Sequence, residues 1–143
     1  MFKELNFKIF IESEEKNDIK NTISNLPKNH QEVINNIEIE YTCGNTLDFD
    51  KNHVGQIKNN KMIVSAPWNY SRQFTTLHEI AHIIWCKILS DKQKKEWTKI
   101  AKKKKLKEKN TEELFCMAYA NYYSKHKLLI YKNKHWESFI KNI

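Results

Sequence analysis

At 143 residues the chain is long enough for one domain and too short for two of ordinary size, so residues 1–143 are expected to form a single unit. Its 40% hydrophobic and 12% aromatic residues can fill a core beneath a surface with 29% charged residues, which excludes wholesale disorder. A net charge of +8, from 25 basic and 17 acidic residues, would attract nucleic acid or an acidic partner, but the basic set is lysine apart from Arg72, as on a solvated, composition-driven surface.

Leu5, Phe7, Ile9 and Ile11 alternate with polar residues and predict an opening strand within residues 3–12. Ile19, Ile23 and Leu26 have helical spacing, and Pro27 closes that helix and opens another through Val33 and Ile34. Ile37, Ile39 and Tyr41 alternate again, and further strands are predicted at Val54 to Lys58 and at Lys61 to Ala66. From about Ser71 to Leu89, Phe74, Leu77, Ala81, Ile84 and Ile88 recur at helical spacing without glycine or proline, which predicts a buried helix. A helix from Asp91 carrying Trp97 and Ile100 should give way to a mobile, lysine-rich stretch at Lys102 to Lys109. Thr111 is the expected N-cap of the next helix, and a last helix is predicted at Lys132 to Lys141. Strands first and helices afterwards make an α+β arrangement.

No stretch approaches the roughly 20 apolar residues of a membrane span, and MFKELNFKIFIESEE lacks a signal-peptide core, so a cytoplasmic location without membrane contact is expected. Three cysteines, Cys43, Cys86 and Cys116, form no C-x-x-C pair and suggest neither a disulfide framework nor a zinc ribbon.

The chemistry lies in the buried helix, where His78-Glu79-Ile80-Ala81-His82 makes H-E-x-x-H. At about 100° per residue the two imidazoles fall within roughly 40° of one another, so both can reach one metal ion while Glu79 points to the side. Zinc fits this pair, with Glu79 as the general base that activates the zinc-bound water. Shuffling the same composition yields the pattern by chance about 2% of the time, and the plain alternative is two half-buried histidines beside a surface glutamate. A third ligand is required, and the segment TEELFCMAYANYY offers Glu112 and Glu113. Cys86, one turn past His82, and Cys116, three residues past Glu113, could approach the site, although free cysteines are usually buried as small hydrophobes.

HEIAH followed by Glu113-Leu114-Phe115-Cys116-Met117-Ala118-Tyr119 resembles the glutamate zincins of the anthrax-lethal-factor-like group, as does the upstream LPKNHQEVINNIEIEY. The resemblance implies a minimal zincin-like metalloprotease domain: a small N-terminal mixed sheet, the active-site helix, then C-terminal helices. It also implies a zinc metalloendopeptidase with His78, His82 and Glu113 as ligands and Glu79 as base, taking a peptide as an added strand at the sheet edge, at Lys61 to Ala66 or Val54 to Lys58. Glu112 is then a first-turn carboxylate favoured by the helix dipole. Two positions depart from the pattern: Met117 stands where relatives carry a second acidic residue, and Lys102 to Asn110 lacks their oxyanion tyrosine. Tyr70, Tyr122, Tyr131 and His126 are the substitutes within the chain. Two other readings stand beside this one. The first is a lysine-rich protein that binds nucleic acid or an acidic partner and keeps a structural or relic zinc site. The second is an ImmA-like repressor-cleaving protease, against which the absence of E-x-x-A-N spacing counts.

Overall fold

The computed structural model describes residues 7–8, 13–42, 55–58, 61–65, 71–102, 110–125 and 127–143. Strand β1 (Phe7–Lys8) is followed by helices α1 (Ser13–Ser24) and α2 (Lys28–Val33), and these lead into β2 (Glu38–Thr42). The remainder of the strand predicted within residues 3–12 lies outside the described residues. Ile19, Ile23 and Leu26 are buried as their spacing requires. At the corner between the helices the Pro27 carbonyl accepts from the amides of His30 and Gln31, and the Gln31 amide group donates to the carbonyls of Ser24 and Leu26. Strands β1 and β2 pair in parallel, which requires a crossover, and α1 and α2 supply it.

Strands β3 (Gly55–Lys58) and β4 (Lys61–Ser65) complete a mixed sheet of order β1-β2-β4-β3. Strand β4 runs parallel to β2 and antiparallel to β3, with Ile39 facing Met62 in the β2 register. Ile39, Met62 and Val64 are buried, the alternation of a sheet with one face in the core. Of the two strands expected to offer an edge, β3 alone does so among the described residues: β4 is paired on both sides, and Lys61 to Ala66 is withdrawn as a place for strand addition.

Helix α3 (Arg72–Lys87) packs against β3 and β4 and, most extensively, against α5 (Thr111–Tyr123). Ser71 caps α3 by accepting from the Phe74 amide at 3.1 Å. Phe74, Leu77, Ile80, Ala81 and Ile84 are buried along it. Thr75 and Thr76 are buried too, their hydroxyls satisfied by the carbonyls of Ser71 and Arg72 one turn back. Helix α4 (Asp91–Ala101) opens with a capping box between Ser90 and Gln93, and α6 (Lys134–Lys141) opens on the side chain of Asn133. Asn110, rather than the expected Thr111, caps α5: its side chain accepts from the amides of Glu112 and Glu113. Both are good capping types, and the helix starts at Thr111 itself, one residue earlier than a Thr111 cap would start it.

Buried Trp97 fixes the start of α5. Its indole N–H donates to the Thr111 carbonyl at 2.8 Å, and its ring packs with Phe115, Trp136 and Phe139 from α5 and α6. Near the other end of α5, buried Gln73 donates to the Thr22 hydroxyl and accepts from the Ser124 hydroxyl and the Lys125 amide, joining α1, α3 and the exit from α5. Helix α5 is therefore held at both ends while its middle lies along α3. The architecture is α+β, and among the described residues no helix is long and apolar enough to cross a membrane.

Candidate metal centre

His78 and His82, one turn apart on α3, lie with their ring centroids 5.1 Å apart and their planes nearly perpendicular. Both direct Nε2 at a single carboxylate on α5: Glu113 Oε2 is 3.1 Å from His78 and Glu113 Oε1 is 2.9 Å from His82. The neighbouring carboxylate, Glu112, reaches only His82, with Oε2 3.4 Å from Nδ1. Of the two acidic residues left open by the sequence, Glu113 thus spans the histidine pair and Glu112 stands behind one ring.

Electrostatics follow this geometry. Hydrogen bonds from His78 and then His82 hold the Glu113 carboxyl far below the usual carboxylate range, against the opposing effect of burial. For His82, burial favours the neutral ring, but the bond to Glu113 and the charges of Glu113, Glu79 and Glu112 outweigh it and raise the pKa. An imidazole that faces carboxylates through both nitrogens gains by carrying both protons.

Glu79 is 6% exposed. Glu79 is therefore not a surface glutamate, and its charge acts on both His82 and Cys116, as a carboxylate close to the pair would. Cys116, one turn beyond Glu113 on the face of α5 toward α3, is wholly buried, and its sulfur lies within 4.8 Å of a ligand nitrogen of each histidine. Burial pushes its thiol well up, and the charges of Glu113, Glu112, Glu79 and Cys86 add to that shift. The spacing of Cys116 three residues past Glu113 allows it to approach the site, and how α3 and α5 pack brings it to the histidines. Cys86 is exposed instead.

Other residues singled out in the sequence lie elsewhere. Met117 is buried, and His78 Nδ1 is buried without a hydrogen-bond partner among the described residues. Tyr131 belongs to the core, and Tyr122 packs on Tyr123 beneath the Lys127 ammonium. His30 is buried against the Tyr119 hydroxyl, 2.9 Å from its Nδ1, and His135 is exposed on α6. Tyr70, His53, His126, Cys43 and the lysine-rich residues 103–109 lie outside the described residues.

The donor set suits a divalent cation of borderline softness: two imidazole nitrogens and a carboxylate that already converge, with a thiol alongside. Glu112 at His82 Nδ1 would hold that ring with Nε2 free for a metal, the usual relation of a carboxylate to a ligating histidine. Compared with protein-family models, curated proteins and solved structures, the chain matches none of them.

Proposed function

We propose that this chain is a zinc metallopeptidase with a zincin-like domain of the anthrax-lethal-factor-like kind, in which His78, His82 and Glu113 hold the ion. The observation that carries the reading is the convergence of both histidine Nε2 atoms on the Glu113 carboxylate, at 3.1 and 2.9 Å, with a buried glutamate following the first histidine on the same helix. Zinc, when bound, supplies a Lewis acid that polarises the scissile carbonyl and makes a water acidic enough to ionise near neutral pH. Glu79 accepts the proton of the attacking water and later delivers it to the departing amine. Glu112 keeps the His82 ring in the ligating orientation. Strand β3, paired on one side only among the described residues, leaves backbone groups for an extended peptide, so the substrate joins the sheet as a further strand.

The test begins with metal. Protein purified without added zinc is expected to carry about one zinc ion per chain, lost in His82→Ala. Glu79→Gln is expected to keep the ion and to lose hydrolysis of a mixed peptide library, because the ligands remain while the base is gone. Wild-type protein that holds no zinc after exposure to excess and desalting would falsify the proposal. Hydrolysis by Glu79→Gln at the wild-type rate would remove Glu79 from the chemistry.

A further inference from the structure

The metal centre contains one donor more than hydrolysis needs. Three protein ligands leave a tetrahedral zinc one position for water, whereas four ligands, a thiolate among them, make the closed set of a structural or resting site. His78, His82 and Glu113 already account for three. Cys116 adds the fourth: it sits one turn after Glu113 on the same face of α5, is wholly buried, and brings sulfur within 4.8 Å of a ligand nitrogen of each histidine. Donor atoms around a tetrahedral zinc are about 3.5 Å apart, given zinc–nitrogen and zinc–sulfur bonds of about 2.0 and 2.3 Å. The sulfur thus lies on the order of 1 Å outside the donor spacing of a tetrahedral site shared with the two histidines; the three donors this close are those of His78, His82 and Cys116, and Glu113 joins them through its contacts with both imidazoles.

We propose that Cys116 is a thiolate ligand of this centre, closing the resting site as a His78, His82, Glu113 and Cys116 set. This inference rests on the reading of the histidine pair as a metal centre, and adds to it both a preference for thiophilic ions and a gate. On coordination the thiol proton passes to solvent and a sulfur–metal bond forms. For hydrolysis the thiolate would have to leave, taking a proton back from solvent, which would free that position for water. Cys116 therefore holds the site shut until the thiolate leaves, and Cys116→Ser should hydrolyse peptides faster than wild type.

Cobalt(II) alone is the probe, added to the full chain, because a thiolate bound to cobalt gives an intense charge-transfer band in the near ultraviolet that imidazole and carboxylate do not. Wild type should take up about one cobalt per chain and show the band. The Cys43→Ser/Cys86→Ser double variant, which leaves Cys116 as the sole thiol, should keep the band at full strength per bound cobalt, and Cys116→Ser should bind cobalt without it. The double variant keeps the test valid even if Cys116→Ser does not fold. Cobalt bound in wild type and lost in His82→Ala, but with no thiolate band, would overturn the role of Cys116 and leave the metal centre standing. The same follows if the band disappears in the double variant. No cobalt in wild type would overturn both.

Discussion

At His82 the two ring nitrogens face different carboxylates, and this asymmetry gives Glu112 and Glu113 different weights. Glu113 spans both imidazoles, so Glu113→Ala is expected to weaken zinc retention more than any change at Glu112. Glu112 meets His82 at the nitrogen behind the proposed ligating one, and Glu112→Gln should weaken zinc by about 10 to 100-fold without abolishing it. Competition against a chelator of known affinity reads both changes, and the reverse order would move the ligand by one residue. The H-E-x-x-H pair was legible in the sequence because its geometry needs only a helix. The roles of Glu112 and Cys116 were not, because adjacent residues on one helix are separated only by what the opposite helix presents to them. Glu113 could be preferred beforehand only through a resemblance.

Between elements, the site depends on where α5 starts. The Asn110 side chain holds the amides of Glu112 and Glu113, and Trp97 of α4 holds the carbonyl of Thr111, so two contacts outside the candidate metal centre set the position of Glu113, its proposed third ligand. Trp97→Ala should cost about 3 to 5 kcal/mol of stability, as expected for emptying a buried aromatic site among Phe115, Trp136 and Phe139. Asn110→Ala should cost about 1 kcal/mol, the usual loss of a helix cap, and should also lower zinc affinity by loosening the turn that carries Glu113. Urea denaturation of the metal-free protein measures the first quantity and chelator competition the second. If Asn110→Ala lost stability with zinc affinity unchanged, the cap would be a feature of the helix alone. Helix periods and strand alternation made α3, α4, β2 and β4 readable within a few residues. The edge of the sheet was not readable, because strand order is set by pairing, and β4 reads as a strand whether one or both of its sides are taken.

For the whole molecule, a pair of buried groups outside the candidate metal centre contributes to the response of stability to acid. His30 on α2 meets the Tyr119 hydroxyl on α5 at 2.9 Å, joining the crossover that precedes the sheet to the helix that carries Glu113. Burial lowers the His30 pKa from its ordinary 6.5, and a backbone hydrogen bond at Ile143 offsets part of that effect. In the window below 6.5 the unfolded chain has already bound a proton at this histidine while the folded chain has not. Stability from this site is therefore complete above that pH and declines as pH falls toward the folded pKa. His82 has the opposite sign: its raised pKa gives the metal-free protein stability that is present below 6.5 and lost as pH rises through the folded value. The two opposing slopes make the pH profile of the wild type alone uninformative, and the difference between variants isolates each one. His30→Gln, which keeps a polar side chain but cannot titrate, should lose less stability than wild type between neutral pH and pH of about 5, measured by urea denaturation of metal-free protein. Parallel profiles for the two proteins would mean that His30 is protonated as readily in the folded chain as in the unfolded one, and the buried pair would then be a packing contact with no part in acid sensitivity.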